Sequence, residues 1–345
     1  MFHWRKMQAR TDWKNLKEAV DYDFLDATAQ DAIVDIRMLT YNHESYIRHA
    51  IESVLMQKTK YKYRLLIGED CSSDGTRAII QEYQGKYPDR IAAIYWNRNV
   101  GMDCNGIIMA QHSRAKYVAF LEGDDYWTSP LKLERAVSFL EEHPEYVGFA
   151  HNVWQVDKDE RMLHHIKQLS WNLPVREDQI SCRRSFDNIH PRLLMSHTST
   201  YVNRNYQVDW DEKMWNLWYD CRQVGDKKKE LVMSLLGDVF ISRNIMSAYR
   251  RVFDSDSWIS GTYEKNCNFR SVMMWQDHAK LYRELTGEEY PALEGFENQF
   301  LQSAQEFVWG KFSLSNLGIY LGTAALIYKR RLADKRRTKG REAKC

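Results

Sequence analysis

Between residues 33 and 149 short apolar runs alternate with stretches of helical period. Residues 33–39, 64–68, 91–95, 117–121 and 146–149 are runs of four to seven mostly apolar positions with no clean alternation. Such runs predict strands buried on both faces. Between them, 44–57 places Ile47, Ala50, Ile51, Val54 and Leu55 at helical spacing. Residues 76–87 predict a second helix that stops before Pro88, and 105–113 a third. Pro130 opens a fourth at 131–142, where proline fits a first turn. Strand and helix alternating over short connections predict an α/β fold, a mostly parallel sheet with helices on both faces. Ligands of such sheets bind beyond the carboxyl ends of the strands. The polar clusters fall there: Thr40 to His43, Glu69 and Asp70, Asn97 to Gly101, and Glu122 to Asp125.

The pattern changes outside this block. Residues 1–30 are polar with scattered aromatics and predict a helical or irregular arm. After about 150 the alternation stops. A hairpin is predicted around 157–160, and Trp154, Trp171, Trp210, Trp215, Trp218 and Trp258 crowd the region. These rings suit either a core or a groove that stacks on sugar faces. The organisation expected is thus an arm (1–30), an α/β region (31–152), an irregular aromatic-rich region of the same domain (153–310) and a C-terminal tail (311–345). Residues 314–328 are apolar but interrupted, and too short to span a bilayer as a helix.

Composition narrows the classes. Of 345 residues, 44% are hydrophobic and 28% charged, with 16 glycines and 6 prolines, which excludes disordered and collagen-like chains. The first residues lack an apolar signal-peptide core. Six scattered cysteines without Cys-x-x-Cys spacing read as cytosolic thiols. Residues 329–345 hold nine Lys or Arg against Asp334 and Glu342; with a net charge of +2 overall, the other 328 residues are net −5. An acidic body with a basic tail is not a nucleic-acid-binding fold. Apolar residues followed by basic ones suit a helix lying on anionic lipid, or a packed helix with a solvated end.

Two polar clusters carry candidate chemistry. The three carboxylates Glu122, Asp124 and Asp125 repel one another unless a cation neutralises them, and a hard divalent ion with oxygen ligands is the natural one. A capping turn before Pro130 is the alternative. In Glu69-Asp70-Cys71-Ser72-Ser73-Asp74-Gly75-Thr76, Asp74 suits a helix cap, whereas Asp70, nearer the strand, is the better ligand for a base or ribose.

These segments resemble family 2 glycosyltransferases. The matching pieces are Leu39-Thr40-Tyr41-Asn42, Ser53-Val54-Leu55-Met56-Gln57, the Glu69–Thr76 stretch, Asn97-Arg98-Asn99-Val100-Gly101 and Leu121-Glu122-Gly123-Asp124-Asp125-Tyr126-Trp127. Each alone is weak; five in order on matching elements are specific. The resemblance implies a GT-A fold, Mn2+ or Mg2+, inversion at the anomeric carbon, and a nucleoside-diphosphate sugar donor, with UDP-sugar favoured. The acceptor would be a glycan or lipid-linked hydroxyl, at the inner face of a bacterial membrane.

Carried onto this sequence, Thr40, Tyr41 and Asn42 lie near the nucleotide, with Glu69, Asp70, Asn99 and Gly123. Glu122 and Asp124 occupy the metal-binding acid positions; Glu122 is longer than the family's aspartate, so metal and ribose are both open to it. The base is expected at Asp226, in a Gly-Asp pair opening a helix, with Asp220 as runner-up. The run Lys227-Lys228-Lys229 departs from the usual apolar continuation. His197 suits the acceptor side or the core, and Arg250 suits the diphosphate or a surface carboxylate. The family's histidine that completes the metal site falls at Val252 here, so a third ligand is missing or comes from elsewhere. Two rivals share the core. A nucleotidyltransferase needs a Gly-rich phosphate loop after the first strand, which Thr40 to His43 is not. A non-catalytic scaffold does not need the acids of Glu122 to Asp125.

Overall fold

The structure is a computed structural model. It describes residues 22–28, 30–163, 178–181, 197–222, 225–251, 267–291, 293–295, 297–298, 301, 321 and 324–332. The strands are β1 (Tyr22–Leu25), β2 (Val34–Thr40), β3 (Tyr63–Glu69), β4 (Ile91–Trp96), β5 (Tyr117–Glu122), β6 (Tyr126–Trp127), β7 (Tyr146–Val156), β8 (Gln179–Ser181), β9 (Val202–Arg204) and β10 (Asp238–Arg250). The helices are α1 (Ile47–Leu55), α2 (Thr76–Lys86), α3 (Gly101–His112), α4 (Lys132–Glu142), α5 (Glu212–Asp220), α6 (Gly225–Leu236) and α7 (Cys267–Thr286).

One sheet organises the chain, in the order β1-β4-β3-β2-β5-β9-β7-β10-β6, with β8 on β10. Its parallel part is β4-β3-β2-β5. β9 then runs antiparallel to both β5 and β7, and β10 is parallel to β7. The expected α/β architecture is therefore present, with an antiparallel insertion that the alternation rule did not announce. α1, α2 and α4 bury Ile47, Ile51, Val54, Ile80, Leu133, Val137 and Leu140 with Ile36, Met38, Ile67 and Leu121 in one core layer. α3 and α5 cover the other, with Leu66, Ile94, Trp96, Ile107, Ile108, Trp215 and Tyr219. Each apolar run of the parallel strands thus feeds two layers, which is why it shows no alternation.

At the amino end of the sheet Asp35 accepts from Arg64 Nε at 2.8 Å, Ser113 Oγ at 2.9 Å and the N–H of Arg114 at 2.8 Å. Burial alone would raise this carboxyl, but Arg64 and the other donors hold it below its ordinary value.

Three readings are corrected. Residues 22–25, expected in an arm, form β1, antiparallel to β4; Tyr22 packs at 4.8 Å on Trp96, so tertiary contact, not local pattern, makes the strand. The strand expected at 146–149 runs on to Val156, and the turn after it closes on a single bridge from Val156 to Met162. β10 was not anticipated because bulges about Ser242 and Ile245 interrupt its period. Among the tryptophans, Trp215 is buried, Trp210 and Trp218 pack against α3's layer, and Trp154 is exposed. Trp171 and Trp258 lie outside the described residues. Cys71, Cys104 and Cys221 are free thiols.

The described residues fall into two compact units, one from 1–219 and 229–251, the other from 220–228 and 252–345. In the second, Arg222 pairs with Asp277, and Arg330 and Arg331 both reach the buried Glu297. Residues 324–332 are helical, with Tyr328 and Leu332 exposed. Among the described residues no helix is long and apolar enough to cross a membrane.

Candidate functional site

The register of the parallel strands assembles the site. Thr40 pairs with Glu69, Leu39 with Glu122, and Glu69 with Tyr95. Neighbouring strands lie about 4.8 Å apart, so four polar strand ends stand in one row. From that row the β2–α1 and β3–α2 loops clasp each other. Asn42, at φ 55°, accepts from the Ser73 N–H at 2.8 Å, and its own N–H donates to Ser72 Oγ. Asp74 caps α2 through the Thr76 N–H and also takes the Glu44 N–H, both at 3.0 Å.

The two strand-end acids of β3 differ. Glu69 is fully buried, accepting from the Ser72 N–H at 2.6 Å and from Arg77 Nε at 2.5 Å. Asp70 turns to the first turn of α3, accepting from the N–H groups of Val100 at 2.7 Å and Gly101 at 2.9 Å. Burial pushes the Asp70 carboxyl up to about 6, against the pull of those donors. Both acids therefore have structural partners, although each carboxylate oxygen can accept a second hydrogen bond. Asn99 donates to the Asp70 carbonyl at 3.2 Å, and Tyr41 is exposed beside them.

Beyond β5 the chain turns sharply at Gly123. A Cβ there would lie 2.5 Å from Thr40 Oγ1 and 2.7 Å from His43 Nδ1, so no side chain fits. His43, on no sequence-derived list of ligands, bonds Thr40 Oγ1 at 3.2 Å and lies 4.0 Å from Asp124 Oδ2.

Asp125 is fully buried. Its Oδ1 accepts the Arg250 N–H at 2.9 Å, while its Oδ2 has no hydrogen-bond partner among the described residues and lies 3.5 Å from His197 Nδ1. Burial first, then the charges of Asp124 and Glu122, push this carboxyl well above its ordinary range. One ligand atom each from Glu122, Asp125 and His197 lies within 4.8 Å of the others. The sequence pointed to Glu122 and Asp124; the structure groups Glu122 with Asp125 and His197 and leaves Asp124 beside His43. The signal for Asp125 was in the acid run itself. That for His197 was not local, since 72 residues of chain separate it from Asp125.

Carboxylate oxygens suit Mn2+ or Mg2+, the imidazole beside them favours Mn2+, and a buried carboxylate oxygen without a partner among the described residues is a place for a cation. The donor set thus fits the ion that the resemblance implies.

Arg250 stands apart from the diphosphate expectation. Its buried guanidinium donates to the Asp124 carbonyl at 2.8 Å and to Glu160 Oε1 at 3.1 Å, between the rings of Tyr46 and Tyr126. It braces the acidic turn. Asp226 lies in the first turn of α6 and Asp220 ends α5; both belong to the second compact unit. Val252 lies outside the described residues.

Residues 35–201 match the family model Glycosyl transferase family 2. An uncharacterized protein of Mycobacterium tuberculosis is 35% identical over 150 residues, 44% of this chain and 43% of that protein. The chain thus spans less than half the length of the mycobacterial relatives it matches. The poly(ribitol-phosphate) beta-N-acetylglucosaminyltransferase TarS of Staphylococcus aureus is 28% identical over 105 residues, 30% of this chain and 18% of TarS. The crystal structure of S. aureus TarS 1–349 in complex with UDP-GlcNAc superposes with a TM-score of 0.54 at 14% identity, over 84% of this chain and 79% of that one. That likeness is one of fold and matches the GT-A architecture. Residues 35–201, on a sheet of this order, thus form a domain similar to the glycosyl transferase family 2 model.

Proposed function

We propose that the protein transfers a sugar, with inversion, from a nucleoside-diphosphate sugar to a hydroxyl of a glycan or lipid-linked acceptor in bacterial surface-polysaccharide assembly. One observation carries this reading. The strand ends Thr40, Glu69 with Asp70, and Glu122 to Asp125 stand side by side, with the unpartnered Asp125 oxygen next to His197. Thr40, Tyr41, Asn42, Asn99, Glu69 and Asp70 form the nucleotide side, and Gly123 lets the turn after β5 close on Thr40 and His43 at its edge. Glu122, Asp125 and His197, with Asp124 adjacent, would hold Mn2+ or Mg2+. When bound, the ion supplies charge neutralisation for the leaving diphosphate. Asp226 takes the proton of the acceptor hydroxyl as its oxygen bonds the anomeric carbon and the bond to the diphosphate breaks.

Sugars of UDP, GDP, dTDP and CMP, each with and without Mn2+, test the donor side by thermal shift. A ligand that binds only the native state stabilises it by about 2.7 kcal/mol at a hundred times its Kd. We expect a UDP-sugar to raise Tm in the presence of Mn2+ and to release UDP with time. If no nucleotide sugar shifts Tm under either condition, the reading is lost.

The tail belongs to the same proposal, as an attachment to the anionic cytoplasmic face of the membrane. Arg330 and Arg331 are held by Glu297, so the lipid-facing charge must come from Lys329 and the six Lys or Arg beyond residue 332. Each contributes about 1 kcal/mol near an anionic surface. Deleting 333–345 should abolish salt-sensitive cosedimentation with phosphatidylserine-containing vesicles and leave Tm unchanged. Full-length protein that ignores those vesicles removes the attachment.

A further inference from the structure

Behind the acidic cluster lies a buried polar knot to which no role has been given. Lys132, the first residue of α4, is fully buried, and among the described residues no carboxylate pairs with it. Its Nζ donates to the Ser199 carbonyl and lies 4.4 Å from the centre of the Trp127 ring. The same carbonyl takes Trp127 Nε1 at 3.2 Å and Ser247 Oγ at 2.9 Å. Three donors from α4, β6 and β10 therefore converge on one oxygen. A lysine buried without a counter-charge is costly, and its burial drives its pKa well below the ordinary value. A methionine or leucine would fill the same space without that cost.

The converging donors fix the carbonyl of Ser199, and the N–H and hydroxyl of the same residue reach the other way. Ser199 sits in the short 3-10 turn Thr198–Thr200, and its N–H and Oγ reach His197 Nδ1 at 3.3 and 2.9 Å. Thr200 Oγ1 ties the His197 carbonyl at 2.7 Å, and Tyr249 stacks on the imidazole at 4.0 Å. The Ser199 N–H can only donate, so this contact selects the ring tautomer in which Nδ1 accepts. The imidazole is thereby held beside the unpartnered Asp125 oxygen.

We infer that Lys132 is a positioning residue, which through the Ser199 carbonyl aims His197 at the cation site it shares with Glu122 and Asp125. The inference rests on the metal reading of that cluster. Outer-shell hydrogen bonds orient a ligating imidazole, and losing such a partner typically costs 10–100-fold in metal affinity.

Mn2+ binding to the full chain, without nucleotide, is measured by the loss of the free-ion electron spin resonance signal. Lys132→Met keeps the side chain's length and removes its donors. We expect its Mn2+ affinity to fall by about 10–100-fold. In a His197→Ala background the same substitution should change Mn2+ affinity less than about twofold, because its effect passes through the imidazole. Native affinity in Lys132→Met, or an equal loss in both backgrounds, overturns the role. If Lys132→Met does not fold, Ser247→Ala removes one donor from the same carbonyl and is judged by the same two comparisons. Native protein that binds no Mn2+ sinks the metal reading and this role together; binding that survives the substitutions sinks this role alone.

Discussion

Replacing Asp226 by Asn is expected to cut sugar transfer by about 10²–10⁴, the usual worth of a positioned general base. Asn keeps the shape and the acceptor oxygen but cannot take the acceptor's proton. Asp226 lies inside the first turn of α6, where its charge complements the helix dipole by about 0.3–1 kcal/mol, so in Asp226→Asn the turn should hold and Tm should fall only slightly. Nucleotide-sugar and Mn2+ affinities should stay near native, since the residues proposed to hold them all belong to the other compact unit. Asp226→Ala separates the two roles of the carboxylate. If Asp226 only complements the dipole of α6, this variant loses up to about 1 kcal/mol of stability and keeps its turnover. Full activity in Asp226→Asn removes the residue as base, and Asp220→Asn is then the variant to measure.

Asp125→Asn is expected to lower Mn2+ affinity by at least about 100-fold, beyond the range for residues that only orient a ligand. The metal-free protein should lose no stability. Asn retains the acceptor for the Arg250 N–H and removes a charge that burial, Asp124 and Glu122 all disfavour. Function and stability are opposed at this position: the buried carboxylate is a burden to the empty site and a ligand to the loaded one. Calorimetric Tm with and without Mn2+ reads both halves. A Mn2+ response that persists in Asp125→Asn but vanishes in Asp124→Ala would place the ion on the exposed acid beside His43.

The parallel half of the fold was legible because its physics is local. Strands buried on both faces must be apolar runs, and the helices that cover them must be amphipathic, so 33–149 announced β2 to β5 and α1 to α4 to within a few residues, apart from the early start of α3. The motifs at the strand ends were legible for the same reason, because chain reversal beyond a buried strand demands glycine and short polar residues. Gly123 illustrates this, pressed against Thr40 and His43. The assignment of individual acids was less so. Asp70 and Asp74 both cap helices, and which acid remains available to a ligand depends on which backbone N–H groups face it.

By itself the sequence determined the strand–helix alternation, the row of polar strand ends and the candidate acids among Glu122, Asp124 and Asp125. Each follows from the period of burial or from neighbours within a few residues. Tertiary structure alone decided that β1 is a strand, that β9 and β10 complete the sheet, and that Arg250 braces the acidic turn. It also brought His197 to Asp125 and buried Lys132 behind it. These depend on pairings between segments 53 to 125 residues apart, and a bulged strand such as β10 carries no period that would announce them. A buried charge is recognisable only once its surroundings are known, because the same lysine at a helix start is ordinarily solvated.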